Sequence, residues 1–276
     1  MFDFIKLDSF DIEKTKEYSL SIQVSLDGFS FLIVHSSEKK VIAYKNTPLK
    51  ISNKNLLARR LKEWLEAENI FKNPFNSVFA FFFTENFTLV PAEYSGDNQI
   101  ENLTTHLFQH DLNNKLIENK IDDLNAKLVF MLPTEVMNVL HLQFNNNVKI
   151  IHPVTNLLKY PVESKKRNSA VILTTKKYFY LIITRNTRLI LANSFQAEHL
   201  NDLVYHVLNT FQQLEIARSE TDLYVSGLRN DNSEIEDLLK LYFENISNLK
   251  ISGLITNPEI INQSPLPLPL FNLIGE

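Results

Sequence analysis

The chain has 276 residues, 44% of them hydrophobic and 22% charged, with a formal net charge of −4 and no cysteine. That length and composition suit one large or two medium folded domains and exclude a disordered chain. Scattered Lys and Arg on an acidic total argue against nucleic-acid binding, while the lack of cysteine removes disulfides, thiolate metal sites and cysteine nucleophiles and suits a reducing compartment.

Up to Tyr18 the chain is a polar lead-in with neither a signal-peptide apolar core nor a small-residue cleavage site, so a cytoplasmic location is expected. Leu20 to Thr47 then reads as a three-stranded meander. Ser21 to Leu26 is a strand, Asp27-Gly28 a turn, Phe29 to Val34 a second strand and Val41 to Lys45 a third. In Lys54 to Glu68, Leu57, Leu61, Trp64 and Leu65 recur at helical spacing on one face, and Asn53 or Ser52 stands where a cap belongs. Asn76 to Phe83 is nearly all apolar, as a strand covered on both sides would be, and is too short to cross a bilayer, so no membrane insertion is expected. Its phenylalanines Phe79, Phe81, Phe82 and Phe83 read as packing rather than as a platform for bases. Glu85 to Tyr94 continues that strand to Pro91 after a turn. Ile100, Leu103, Leu107, Phe108, Leu112 and Leu116 give Asp97 to Asn119 a helical periodicity. Lys127 to Leu132 is a further buried strand, Pro133-Thr134 opens a helix to Phe144, and Lys149 to His152 is a short strand.

Polar residues 156–168 separate this half from a second one, giving subdomains 1–160 and 161–276. The second half repeats the order: Ala170 to Thr175, a turn at Lys176-Lys177, Tyr178 to Thr184, a turn at Arg185 to Thr187, and Arg188 to Asn193. An amphipathic helix follows over His199 to Ile216, then a strand over Thr221 to Ser226. A helix over Ser233 to Glu244 starts on a capping box of Ser233 with Glu236, and Leu249 to Ser252 is one more strand. An offset of 149 aligns Val24, Phe31 and Ile33 with Leu173, Tyr180 and Ile182. Ser264 to Phe271 alternates proline and leucine, which favours polyproline II geometry and, with that much apolar surface, packing back on the body.

Two copies of a βββαβαβ module, and the phrases LSIQVSLDGFSFLIV and TDLYVSGLRNDNSEIEDLL, resemble a bacterial family with an actin-like ATPase fold, within the actin, sugar-kinase and heat-shock chaperone ATPase superfamily. The resemblance covers Leu20 to Ser252. It implies an α/β protein with a duplicated actin-like, ribonuclease H-like fold, and a nucleotide cleft between the halves in active members. In that superfamily the first phosphate loop carries aspartate and glycine separated by one residue. This chain has Asp27 and Gly28 adjacent with Phe29 next, a pattern that by itself is a strong hairpin turn. The second loop should again be acidic, but here it is Leu173-Thr174-Thr175-Lys176-Lys177, and the adenosine-contacting strand end keeps one glycine, Gly227. The site therefore looks degenerate. The resemblance implies a non-catalytic protein-binding or scaffold role, as in actin-like members of pilus and secretion machineries, with no cofactor. The alternative is an enzyme binding magnesium ATP or a phosphorylated metabolite through Asp27, Gly28, Thr174, Thr175 and Gly227.

Other constellations read as structural. His106 and His110, four apart, lack the glutamate of a metalloprotease helix, and His199 and His206 are seven apart, so no metal is expected. Gly-x-Ser-x-Gly is absent, which leaves nucleophilic hydrolysis without support.

Overall fold

The computed structural model describes residues 4–6, 10–94, 100, 107–108, 113–159, 164–227 and 232–249. The chain divides into two compact units, one running to Thr155 and the other from Asn156. The proline-leucine tail lies outside the described residues, as do His106 and His110.

In the first unit the meander forms as β2 (Tyr18–Ser25), β3 (Gly28–His35) and β4 (Val41–Pro48). The lead-in is structured too. A short strand, β1 (Phe4–Lys6), pairs antiparallel with the outer edge of β4, and a 3-10 helix, Ile12–Glu17, precedes β2. Helix α1 (Leu57–Ala67) returns the chain to β5 (Ser77–Phe82), which runs parallel to β2. Asn53 accepts from the Asn55 amide at 2.9 Å and caps the 3-10 turn leading into α1. After helix α2 (Thr134–Gln143), β9 (Lys149–Ile151) pairs parallel with β5, giving the order β1-β4-β3-β2-β5-β9. The face under α1 is aromatic: Trp64 lies 5.2 Å from Phe29 and 5.0 Å from Phe71, and its Nε1 donates to Thr47 Oγ1 at 3.0 Å.

Between β5 and α2 the unit carries a separate three-stranded sheet of β6 (Phe87–Pro91), β7 (Asn114–Ile121) and β8 (Ala126–Pro133), ordered β6-β8-β7. This corrects the end of the helix expected over Asp97 to Asn119: Ile100 and Leu107 are helical, but Asn114 to Asn119 are strand. Leu116 packs against Val90 and Val129, and antiparallel pairing with β8 outweighs the helical spacing of the upstream leucines.

The second unit, entered through helix α3 (Pro153–Lys159), repeats the layout. Its meander is β10 (Asn168–Thr174), β11 (Tyr178–Arg185) and β12 (Arg188–Gln196). Helix α4 (Leu200–Gln213), β13 (Thr221–Gly227), helix α5 (Asn232–Leu239) and β14 (Asn245–Asn248) complete a sheet of order β12-β11-β10-β13-β14. Leaving β1 aside, this is the order of the first sheet. Leu203, Val207 and Phe211 of α4 and Ile235 and Leu239 of α5 pack on Ala170, Ile172, Phe179, Leu181 and Ile183. Helix α5 begins at Asn232, so Ser233 stands in its first turn rather than at its cap.

Pairing corrects the offset between the copies by one residue. The first hairpin closes at Ser25 and Gly28, the second at Thr175 and Tyr178, and the register shift between second and third strands falls at Ile33/Val34 and at Ile183/Thr184. Each landmark is displaced by 150, as from Ser25 to Thr175. Thus Phe29, Phe31 and Ile33 correspond to Phe179, Leu181 and Ile183, all on the helix-covered face. Tyr180, Ile182 and Leu173 belong to the opposite face, since a slip of one residue reverses every side chain in a strand.

Candidate functional site

The loops that would cradle phosphate are built by different local devices in the two units. In the first unit the turn residues are Leu26 and Asp27, and Gly28 already belongs to β3. Ser25 closes this turn: its Oγ accepts from the Asp27 amide at 3.1 Å and donates to the Gly28 carbonyl at 3.0 Å. The chain leaving β4 then runs along the turn, with Leu49 N donating to Asp27 O at 3.0 Å and Ile51 N to Leu26 O at 2.9 Å. That passage explains the glycine. Gly28 has φ +130°, and a Cβ there would stand 2.3 Å from Thr47 O and 2.6 Å from Leu49 N. Asp27 itself is half-buried.

In the second unit the fold brings Thr174, Thr175 and Gly227 together, because β10 and β13 pair in parallel with Thr174 opposite Gly227. Both threonines are buried, at 0% and 2% exposure. Thr175 is committed to its own turn. Its amide and hydroxyl both donate to the Tyr178 carbonyl, at 2.8 and 2.7 Å, and its Oγ1 accepts from the Tyr178 amide at 3.1 Å. Gly227 has φ +144°, and a Cβ there would lie 2.2 Å from Thr174 Oγ1. Lys176 and Lys177 form the exposed tip of this hairpin.

Two polar nodes, one buried at His152 and one partly exposed at Asp222, were not anticipated from the sequence. His152, with no exposed surface, sits 4.7 Å from the ring of Phe87 and 5.3 Å from that of Phe130. Its Nε2 donates to the Thr84 carbonyl at 3.0 Å, and its Nδ1 accepts from the Val154 amide at 3.3 Å. Burial pushes the imidazole pKa down to about 3 against the smaller opposing effect of the Thr84 hydrogen bond, so the ring is neutral. Asn119 of β7 accepts from the His152 amide at 2.8 Å and donates to Ile150 O at 3.0 Å, joining the inserted sheet to β9. The second node is Asp222. Its carboxylate accepts from Ser164 Oγ at 2.9 Å, the amides of Lys165 and Lys166 at 3.0 and 3.3 Å, and Asn245 Nδ2 at 3.0 Å. Burial raises its pKa, but those hydrogen bonds together outweigh it and hold the carboxyl below the ordinary value. A polar residue ending an apolar run, as His152 does, is the only sequence signal for such a node.

His199 and His206 do not converge on a metal. The His199 amide donates to Asp202 Oδ2 at 3.2 Å at the start of α4, while the His206 ring lies 5.2 Å from that of Phe195. Among the described residues, no group of three or more His, Cys, Asp or Glu side chains is placed to hold a metal ion, and no helix is long and apolar enough to cross a membrane.

Residues 7–246 match the family model described as "Protein of unknown function (DUF3822)". The chain belongs to this family. Among solved structures, the DUF3822 chain is similar to a Bacteroides thetaiotaomicron protein with actin-like ATPase fold and unknown function, at 22% identity over 91% of this chain and 97% of that one, with a TM-score of 0.79. It is also similar to a chain of the PilM-PilN type IV pilus biogenesis complex, at 10% identity over 93% of this chain and 97% of that one, with a TM-score of 0.63. These likenesses establish an actin-like ATPase fold for this DUF3822 chain. No curated protein matches it.

Proposed function

We propose that this DUF3822 chain is a protein-binding scaffold that uses the actin-like fold without turning over nucleotide. The observation that carries the reading is the closure of the second hairpin. Thr175 spends its amide and hydroxyl on Tyr178, and Thr174 fills the space beside Gly227 that a nucleotide-binding glycine leaves open. Gly28 likewise makes room for the chain after β4. Phosphoryl transfer requires a positioned metal ion and donors aimed at phosphate oxygens, and Asp27 is the only carboxylate that the two hairpin turns supply. The loops therefore do not fit magnesium ATP. The similarity to a chain from the PilM-PilN complex gives the scaffold reading a precedent for this fold in a protein assembly. Zero cysteines suit a cytoplasmic setting, which cell fractionation would check.

The test is a thermal melt with and without millimolar magnesium ATP, repeated on Asp27→Ala. A ligand at 100 times its dissociation constant stabilises a fold by about 2.7 kcal/mol, which moves the melt of a chain this size by several degrees. No shift is expected. An upward shift that Asp27→Ala abolishes would replace the scaffold with a nucleotide-binding enzyme.

A further inference from the structure

The two sheets share their strand order but differ at one edge. In the first unit β1 pairs antiparallel with β4, placing Phe4, Ile5 and Lys6 opposite Lys45, Tyr44 and Ala43. This pairing begins just past the bulge at Ile42, the residue left out of register between β3 and β4. In the second unit the bulge recurs at Ile190, so the corresponding edge positions are Leu191, Ala192 and Asn193. Among the described residues β11 is the only strand paired with β12.

Exposed edges are ordinarily blunted by proline, by inward charges or by a covering strand. Strand β12 spans nine residues, contains no proline and carries a single charge, Arg188, at its first position. Ile190 is 39% exposed. The inserted sheet shows the contrast: its edge strand β7 holds Lys115, Glu118 and Lys120, and β6 ends in Pro91. The sequence running through β12 is also one-signed as far as Glu198. From Ser164 to Ala197 the sequence contains no Asp or Glu, although the chain as a whole is acidic. The β11–β12 turn carries Arg185 and Arg188, while Lys176 and Lys177 lie in the β10–β11 turn at the other end, where Ala197 N donates to Lys177 O and Glu198 follows; Arg188 makes no ion pair among the described residues.

We infer that the outer edge of β12 at Leu191–Asn193 accepts an extended, acidic strand from a partner protein, added antiparallel as β1 is added to β4. This rests on the protein-binding reading above and names its surface. Main-chain hydrogen bonds supply the pairing, alternate side chains supply selectivity, and the cationic hairpin selects for acidic flanks.

Because the chain has no cysteine, Asn193→Cys introduces a single thiol at this edge. The probe is a synthetic peptide of residues 1–8 with Lys6→Glu and Phe4→Cys, MFDCIELD, whose thiol is activated for disulfide exchange and stands opposite Asn193 as Phe4 stands opposite Lys45. It should couple to Asn193→Cys about tenfold faster than to Gln213→Cys on the exposed end of α4, since pairing raises the local thiol concentration. The preference should vanish when the peptide carries Ile5→Pro. Arg188→Glu in the protein, or lysines in place of the peptide's acids, should reduce it by about threefold or more. Equal rates at the two positions would overturn the assignment. So would Asn193→Cys protein linking preferentially to itself, which would give the edge to a second copy. Both thiol variants sit at exposed positions, and their melting temperatures report whether they fold. The magnesium ATP melt is independent of this edge, so failure of the edge and failure of the scaffold reading give different results.

Discussion

Acidification should destabilise the first unit through one side chain, His152. Its folded-state pKa lies near 3, below the 6.5 of an exposed histidine. The folded state therefore binds fewer protons than the unfolded chain between those values, so stability is fully present above about pH 6.5 and falls as pH drops below it. At pH 5.0 the loss from this group amounts to about 2 kcal/mol, growing by about 1.4 kcal/mol per further pH unit until the ring itself protonates near pH 3. The assay is urea unfolding at pH 7.5 and 5.0, followed by the fluorescence of Trp64, the chain's single tryptophan, which lies in the core of the same unit. His152→Gln provides the comparison. It removes the titration while keeping a donor and an acceptor near the Thr84 carbonyl and the Val154 amide, and its own cost of about 1–3 kcal/mol does not change with pH over this range. Every other titrating group is common to both proteins, so wild type should lose about 2 kcal/mol more than the variant on going to pH 5.0. Equal losses would show that His152 is not held neutral by burial, and the packing of the inserted sheet on β9 would have to be redrawn.

Three further outcomes test the local devices. Thr187 has φ +65° beside Asn186 at +49°, a pair suited to Asn-Gly, so Thr187→Gly should stabilise the second unit by up to about 1 kcal/mol in thermal melts. Gly227→Ala places a Cβ 2.2 Å from Thr174 Oγ1 at a φ hostile to alanine, and should destabilise by about 2–4 kcal/mol; a neutral result would mean that β10 and β13 are not so closely apposed. Asp222→Asn should cost about 1–3 kcal/mol at neutral pH, because one of the two acceptor oxygens becomes an NH2 donor and either the Lys165 and Lys166 amides or Asn245 Nδ2 loses its acceptor. Because the Asp222 pKa is lowered, its stabilisation is present above the unfolded carboxyl value and is lost as pH falls below it, so wild type and variant should converge in acid.

The strands of both meanders, helices α1 and α4 and the duplication itself are legible in the sequence, because alternation and helical spacing are local properties of a chain with one buried face. Phe29 to Val34 declare a buried strand without reference to any partner. The absence of an acidic residue in the second hairpin is equally plain in Thr174 to Lys177.

What tertiary structure alone decided is where those patterns lock. The alignment of the copies moved by one residue because register is set by where each hairpin closes, at Ser25 with Gly28 and at Thr175 with Tyr178, and not by the periodicity, which fits either choice. Asn114 to Asn119 became strand through pairing with β8, an interaction the local leucine spacing does not contain. Gly28 and Gly227 look like relics of a phosphate cradle in sequence. In the fold each is glycine because another stretch of the same chain passes within 2.6 Å of where its Cβ would be. His152 took its neutral character from burial against Phe87 and Phe130, residues distant in sequence that only the packed inserted sheet brings around it, and this outweighs the opposing hydrogen bond to Thr84.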